Sequence, residues 1–219
     1  MAYILCIETS TTNCSVALTK DKDVIVCIED YDTKYSHAER LHGFIDQAVK
    51  KANIKLTDLT AVAVSKGPGS YTGLRIGVSA AKGLCYALDI PLISVLTLQS
   101  LAAQVKIDEG YIIPMLDARR MEVYSAVFSD TYTQIRETQA EILSDTSFDS
   151  YLKENKVHFI GNGVNKFSEI CENDNAVFIK DKLPSAGEMA TISYDKLLKT
   201  EFENVSYFEP YYLKDFVTG

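Results

Sequence analysis

A weak internal repeat constrains the fold of this 219-residue chain more than any other feature of its sequence. Residues 4–18, ILCIETSTTNCSVAL, and residues 112–128, IIPMLDARRMEVYSAVF, follow one scheme. In each, an apolar strand ends in an acidic residue, Glu8 or Asp117, and a polar turn leads into a second strand of alternating apolar residues. Such a repeat indicates duplicated lobes, and we expect them to face each other across a cleft.

Hydrophobic periodicity predicts an α/β fold. The predicted strands are 3–8, 15–19, 23–29, 59–64, 91–95, a strand pair within 112–128, and 157–160; the predicted helices are 37–52, 72–87, 97–105, and one that Ser185-x-x-Glu188 caps and that runs to about 199. We expect an N-terminal lobe over 1–108 and a smaller one over 109–219, whose C-terminal segment packs back on the first lobe.

The segment 61–83, AVAVSKGPGSYTGLRIGVSAAKG, predicts a buried strand, a turn and a helix. Gly67, Pro68 and Gly69 cannot extend the strand, and Ser70 or Thr72 can cap the helix. Small residues then recur every four positions at Gly73, Gly77 and Ala81, so a second backbone could approach this side of the helix closely. We expect that stripe to be a partner surface.

An anion site is the alternative for the same turn, because a helix N-terminus offers free N–H groups and a favourable dipole. The spacing G-x-G-x-x-x-G is one residue too long for the dinucleotide fingerprint, and no Gly-Lys-Ser/Thr follows as in a P-loop. Arg75 lies in the first turn, where the dipole opposes a cation by about 0.3 to 1 kcal/mol. We therefore expect it to meet an anion or a carboxylate.

Charge and cysteine content narrow the function classes. Thirty acidic and 22 basic residues give a net charge of −8, and no basic run offers a track for a phosphate backbone, which argues against tight nucleic-acid binding by this chain alone. No apolar run approaches the ~20 residues that span a bilayer, and the N-terminal sequence lacks a basic region before Glu8. Five scattered cysteines without C-x-x-C indicate reduced thiols. We expect a cytoplasmic protein.

Polar residues at the two repeated strand ends are the candidates for chemistry. Glu8 and Asp117 could act as an acid/base pair or hold a metal–nucleotide complex, and Thr9 and Ser10 could cradle a phosphate. The same residues could simply cap turns. His37 and His42 are five positions apart, about 140 degrees around a helix, so they do not form a zinc pair. We expect His37 to be solvated or at an interface, and no metal site.

Four segments together resemble the bacterial TsaB (YeaZ) family. They are ILCIETSTTNCSVAL, SKGPGSYTGLRIGVSAAKGL, MLDARRMEVYSAVF and EPYYLKDF, which occur in this order across nearly the whole chain. The resemblance implies the ASKHA (actin-like, Hsp70-like) architecture. Its two duplicated lobes have mixed sheets flanked by helices, with the second lobe reduced.

The resemblance also implies a function. Family members are scaffold partners of TsaD and, with the ATPase TsaE, are needed to make threonylcarbamoyladenosine in tRNA. TsaD carries a H-x-x-x-H metal site that His37 and His42 do not reproduce, so we expect a non-catalytic subunit that meets tRNA only through the complex. The alternative is an enzyme, a nucleotide-dependent phosphotransferase or glycoprotease-like hydrolase, that uses Glu8 and Asp117 in the interlobe cleft.

The resemblance implies that helices 37–52 and 72–87 form the surface that binds TsaD, or a second copy of this chain when TsaD is absent. The residues implied at this surface are Leu41, Phe44, Ile45, Tyr71, Thr72, Gly73, Arg75, Ile76, Gly77, Ala80 and Ala81. We expect no tightly bound cofactor and an ATP or ADP at the complex interface. The candidate contacts to a nucleotide or anion are Glu8, Thr9, Ser10, Arg75 and Asp117.

Overall fold

A computed structural model describes residues 1–31 and 37–214, which form two compact units. The first comprises Met1–Ser100 and the segment that starts at Pro184, and the second is Leu101–Leu183. The strands are β1 Tyr3–Glu8, β2 Cys14–Lys20, β3 Asp23–Asp30, β4 Ala61–Gly67, β5 Leu92–Leu96, β6 Tyr111–Asp117, β7 Glu122–Ser129, β8 Gln134–Ile142, β9 Val157–Gly161 and β10 Ala176–Lys180. The helices are α1 His37–Lys51, α2 Tyr71–Leu88, α3 Thr97–Ala102, α4 Asp149–Leu152, α5 Val164–Ser168 and α6 Met189–Leu198, with a 3-10 turn at Leu56–Asp58.

The two sheets have the same topology. The first has the order β3-β2-β1-β4-β5, and the second, written in the same direction, has the order β8-β7-β6-β9-β10. In both, the first three strands are antiparallel and the last two run parallel to the central strand. The predicted ASKHA-type α/β fold with two mixed sheets is thus confirmed, and the helices between strands are shorter in the second unit.

The first sheet is covered on both faces, which explains why its strands are apolar almost throughout. Alternate residues point to opposite faces, so Leu5 and Ile7 pack under α1 and α2 while Ile4 and Cys6 pack under α6. The helices contribute their own apolar faces, with Leu41 and Ile45 on α1 among them. Residues from Pro184 onward belong to this unit, because α6 completes its second layer.

The second unit fills its core with aromatic rings. Phe159 lies 4.9 Å from Phe167 and 5.6 Å from Phe148, measured between ring centroids. Such edge-to-face pairs add about 0.5 to 1.5 kcal/mol each beyond the apolar area that they bury. Large side chains on β9 and on the short helices α4 and α5 therefore do the packing that long helices do in the first unit.

Several local predictions need correction. Helix α3 ends at Ala102 rather than at 105, and α6 begins at Met189. Ser185 does not cap α6, since its hydroxyl accepts a hydrogen bond from the Gly187 N–H instead. The sequence interpretation missed β8, β10, α4 and α5. The pattern Ser36-x-x-Glu39 predicts a cap for helix 37–52, but Ser36 lies outside the described residues.

Within the described residues, no helix is both long enough and apolar enough to cross a membrane.

Candidate functional site

The glycine stripe of α2 faces the interior of the first unit. The Thr9 hydroxyl donates to the Gly73 carbonyl oxygen at 2.8 Å, and the Ser70 N–H donates to the Ser10 carbonyl oxygen at 2.6 Å. A Cβ on Gly73 would overlap the Thr9 carbonyl oxygen, and one on Gly77 would overlap the Thr9 hydroxyl. These glycines let the β1–β2 loop lie directly on the helix, with Ser70 as its N-cap.

Five residues predicted at the partner surface are therefore wrong for that role. Gly73 and Gly77 are covered by Thr9, and the other three lie in the core cluster between α1, α2 and the sheet: Leu41, Ile45 and Ala81. The i, i+4 spacing correctly identified one face of the helix. Spacing alone does not say whether that face meets the chain's own sheet or another protein, and here it meets the sheet and its loop.

An open groove lies between α1 and α2, on the side of these helices that faces away from the core. Its volume is about 670 Å³, and it is lined by Ala38, His42, Tyr71, Thr72, Arg75, Ile76, Ser79, Ala80, Gly83 and Leu84. Five of the predicted surface residues line this groove, namely Tyr71, Thr72, Arg75, Ile76 and Ala80. Phe44, also predicted there, is half-buried against the core cluster.

Two glycines on the outer faces of these helices were missed by the sequence interpretation. A Cβ on Gly43 of α1 or on Gly83 of α2 would meet nothing within 4 Å. Glycine inside a helix costs roughly 0.5 to 1 kcal/mol relative to alanine. The described part of the chain gives no packing reason for either one, in contrast to Gly73 and Gly77. The signal was present in the sequence as mid-helix glycines, but only the structure separates the outer pair from the inner pair.

Arg75, at the end of the groove, contacts two tyrosines. Its guanidinium carbon lies 4.2 Å from the centroid of the Tyr71 ring, and its Nε–H donates to the Tyr212 hydroxyl at 3.3 Å. That hydrogen bond raises the pKa of Arg75 further. The predicted carboxylate partner is not found among the described ion pairs, although Glu209 is near enough to act on Arg75 electrostatically.

The C-terminal segment brings Tyr212 to this position. Lys82 donates from its ammonium to the Phe208 carbonyl oxygen at 2.9 Å, and the Tyr211 N–H donates to the Lys66 carbonyl oxygen at 2.7 Å. The segment therefore lies along α2, with the Tyr212 ring 4.7 Å from that of Tyr71. One end of the groove is thus built from residues more than a hundred positions apart in sequence.

Glu8 closes its own turn. Its side chain is 0% exposed, and its Oε1 accepts a hydrogen bond from the Ser10 N–H at 2.7 Å. Burial raises the pKa of Glu8, and the Ser10 hydrogen bonds only partly oppose this. The neighbouring Thr9 and Ser10 are also almost fully buried. None of these three predicted nucleotide contacts presents a polar group to solvent.

Asp117, the counterpart of Glu8 in the second unit, is the exposed last residue of β6. Its Oδ1 accepts hydrogen bonds from the Lys166 ammonium at 2.6 Å and from the Arg119 N–H at 2.7 Å. Lys166 had no signal in the sequence, since it is 49 positions away from Asp117.

His37, expected at the surface, is 2% exposed, and its Nε2 lies 2.7 Å from the Thr11 carbonyl oxygen. Across 1–31 and 37–214, no group of three or more His, Cys, Asp or Glu side chains could hold a metal ion.

Comparison with known proteins gives a consistent result. Residues 31–218 match a family model described as TsaD, tRNA N6-adenosine threonylcarbamoyltransferase. The chain is 34% identical over 172 residues to the tRNA threonylcarbamoyladenosine biosynthesis protein TsaB of Bacillus subtilis, which covers 77% of this chain and 75% of the relative. It is 29% identical over 220 residues to the protein of the same name from Escherichia coli, covering 97% and 94%.

Solved structures support the same fold. An uncharacterized Pseudomonas aeruginosa protein with similarity to peptidase YEAZ superposes with a TM-score of 0.84 at 24% identity, covering 98% of this chain and 100% of the other. The activator of the 2-hydroxyisocaproyl-CoA dehydratase from Clostridium difficile, solved with bound ADPNP, gives a TM-score of 0.53 at 13% identity, covering 92% and 98%. From the matched family model and the Bacillus subtilis relative together, the chain belongs to the TsaB (YeaZ) family, within the broader TsaD family.

Proposed function

We propose that this chain is a non-catalytic subunit of the cytoplasmic machinery that makes threonylcarbamoyladenosine in tRNA. In this role it binds a TsaD protein through the groove between α1 and α2 and activates it, with TsaE completing the complex. The names of its relatives support the pathway, since the matching Bacillus subtilis and Escherichia coli proteins are both tRNA threonylcarbamoyladenosine biosynthesis proteins.

The observation that carries the partner role is the pair of outward-facing glycines beside an open groove. Gly43 and Gly83 weaken their own helices, and nothing in the described structure uses the space they leave. Ser79 and Ala80, which also line the groove, have small side chains that do not obstruct it. Small residues at these positions allow the backbone of another helix to approach closely, which strengthens dispersion contacts along its length. A pair of helices fits such a groove.

A shared fold explains which partner would present that pair of helices. The TsaD family model matches this chain itself over residues 31–218, so a TsaD protein has counterparts of α1 and α2. Either a TsaD protein or a second copy of this chain would then dock in the same way. We therefore expect a homodimer in the absence of TsaD, and we expect TsaD to displace the second copy because the two contacts use one surface.

The candidate acids are poorly placed for the enzymatic alternative. Glu8 is inaccessible and its burial raises its pKa, while Asp117 is bound to Lys166. An ATP or ADP would instead lie at the interface of the complex. Arg75 is the candidate contact for its phosphates, because its guanidinium is exposed and lies at the groove's end.

Substitution of Gly83 by leucine tests the docking surface. A leucine at this position fills the groove, so we expect the affinity for a TsaD relative to fall about 10-fold or more, in line with overpacking costs of about 1 to 3 kcal/mol. Thr191→Leu is the matched control, since Thr191 is exposed on α6, across the sheet from the groove. Isothermal titration calorimetry gives the affinities, and light scattering gives the mass of the free chain.

Three outcomes bear on the proposal. Equal affinities for Gly83→Leu and the control would contradict docking in the groove. A Gly83→Leu chain that is monomeric where the wild type is dimeric would support one surface for both contacts. Modification of a tRNA transcript that requires this chain together with TsaD and TsaE, none of it occurring with the chain alone, would support the subunit role over an enzyme.

A further inference from the structure

The turn between β6 and β7 presents two adjacent arginines in an unfavourable backbone conformation. Arg119 has φ 69° and Arg120 has φ 50°, which is the left-handed region that glycine and asparagine adopt more readily. Both side chains are exposed, as is Met121 beside them. A glycine or asparagine would form this turn with less strain, so the backbone conformation does not explain why arginine occupies these two positions.

A half-buried lysine holds this turn in place. The ammonium of Lys166 on α5 donates to Asp117 Oδ1 at 2.6 Å, to the Arg120 carbonyl oxygen at 2.5 Å and to the Glu122 carbonyl oxygen at 3.0 Å. These acceptors use all of its N–H donors. Asn162 makes a fourth hydrogen bond to this segment, since its Oδ1 accepts a hydrogen bond from the Asp117 N–H at 2.9 Å. The backbone of the turn is therefore fixed from a second element, and the positive charge of Lys166 is offset by Asp117.

The two arginines of this turn, which we name the arginine tip, differ from the other arginines of the chain. The sequence has five, and Arg40 pairs with Asp30, Arg75 binds Tyr212 and Arg136 binds Glu141. Within residues 1–31 and 37–214, neither Arg119 nor Arg120 has a hydrogen bond or ion pair from its guanidinium. In a chain with a net charge of −8, two adjacent unpaired cations on a fixed turn form a distinct local patch.

We propose that the arginine tip binds phosphate groups of the tRNA backbone, an inference that rests on the proposed function. A guanidinium matches a phosphate with two parallel hydrogen bonds, which makes arginine the preferred residue for this ligand. Sites for small nucleotides are concave, whereas these side chains extend from an exposed turn. An extended polyanion can reach such a turn. Two phosphate contacts are too few for tight binding by this acidic chain alone, so they act on tRNA that the complex already holds.

The test measures tRNA binding by the complete complex of this chain with its TsaD and TsaE relatives. The double variant Arg119→Ala/Arg120→Ala should bind an unmodified tRNA transcript roughly 10-fold more weakly at low salt. Its slope of log K against log salt should be smaller by about 1.5, because each lost phosphate contact removes about 0.7 to 0.9. The matched control is Lys153→Ala/Lys180→Ala, which removes the same charge from two exposed positions of the same unit. This control should keep the wild-type slope.

A second variant separates binding from folding. Arg119→Gly/Arg120→Gly relieves the backbone strain, so its thermal midpoint should not fall, and it should still lose the tRNA contact. Arg119→Lys/Arg120→Lys should keep most of the slope, since both charges remain. Equal slopes for wild type and the alanine variant would overturn the proposal. So would a variant that loses ATP binding to the complex while keeping its tRNA slope, since the phosphates would then belong to a nucleotide.

The proposed function and this inference fail in different ways. A wild-type chain that forms no complex with TsaD by size-exclusion chromatography would overturn the function and the inference with it. A complex that assembles normally with every tip variant, and shows one salt slope for all of them, would overturn the arginine tip alone.

Discussion

The two units share a sheet topology and differ in what connects the strands. In the first unit, the connections into β4 and β5 contain α1 with 15 residues and α2 with 18. In the second, the corresponding connections into β9 and β10 contain α4 with 4 residues and α5 with 5. The groove of the first unit lies between these two long helices, whereas the second unit displays its two adjacent arginines on a hairpin turn. The same sheet thus supports a docking surface in one unit and a charged turn in the other.

The largest expected effect tests how the second unit compensates for its short helices. Phe159→Ala should lower the free energy of unfolding by about 3 to 5 kcal/mol, because it removes a fully buried ring that contacts three others. Urea denaturation measures this loss, and hydrogen exchange should show it concentrated in Leu101–Leu183. Phe202→Ala is the control, since Phe202 is 42% exposed and should cost far less. A small loss at Phe159 would mean that the aromatic cluster does not carry this core.

A smaller effect, of opposite sign at two positions, tests which face of α2 meets the chain's own structure. Gly77→Ala should destabilise the chain by about 1 to 3 kcal/mol, because its Cβ displaces the Thr9 hydroxyl from the Gly73 carbonyl oxygen. Gly83→Ala should stabilise it by roughly 0.5 to 1 kcal/mol, since a Cβ there meets open space. Denaturant melts of the two variants, which carry the same chemical change on one helix, measure both. Equal shifts in one direction would contradict the inward and outward assignment of the two glycines.

The smallest expected effect concerns the repeated acids, and it appears as a pH dependence. The pKa of Glu8 is raised in the folded chain, so its contribution to stability is fully present below its unfolded value of about 4.3 and is lost as pH rises through the folded value. Glu8→Gln should flatten this decline, so that the variant gains stability relative to wild type as the pH rises above the unfolded value. Thermal melts over a series of pH values measure it. Exposed Glu154→Gln serves as the control and should leave the decline unchanged.

The same variant also separates the two functional readings of the first unit. Because Glu8 is a structural residue in the proposed function, Glu8→Gln should keep both TsaD binding and tRNA modification in the reconstituted complex. Loss of turnover with TsaD binding intact would instead favour an enzyme that uses this carboxyl group.

The sequence predicted the architecture because the responsible signals are local. Each acid at the end of a central strand, Glu8 or Asp117, marks the start of a repeated hairpin, and the apolar spacing on α1 and α2 gave their bounds within about one residue. Strand β8 was missed because it is an edge strand with many exposed residues, which removes the alternation that identifies strands. The stripe of Gly73, Gly77 and Ala81 was expected to meet a partner because its spacing does not show what covers it until Thr9 is placed against the two glycines. The role of Lys166 could not be predicted from the sequence, because its three hydrogen-bond acceptors lie in a hairpin distant along the chain.

The contact between Tyr212 and Arg75 has a spectroscopic consequence. The chain contains no tryptophan, so its emission above about 300 nm comes from 13 tyrosines, two of which have their ring centroids 4.7 Å apart at the end of the groove. A protein that docks there changes the surroundings of Tyr71 and Tyr212 directly. Replacing Tyr212 by tryptophan would give the chain a single indole at the groove, whose emission would report each docking event without any label.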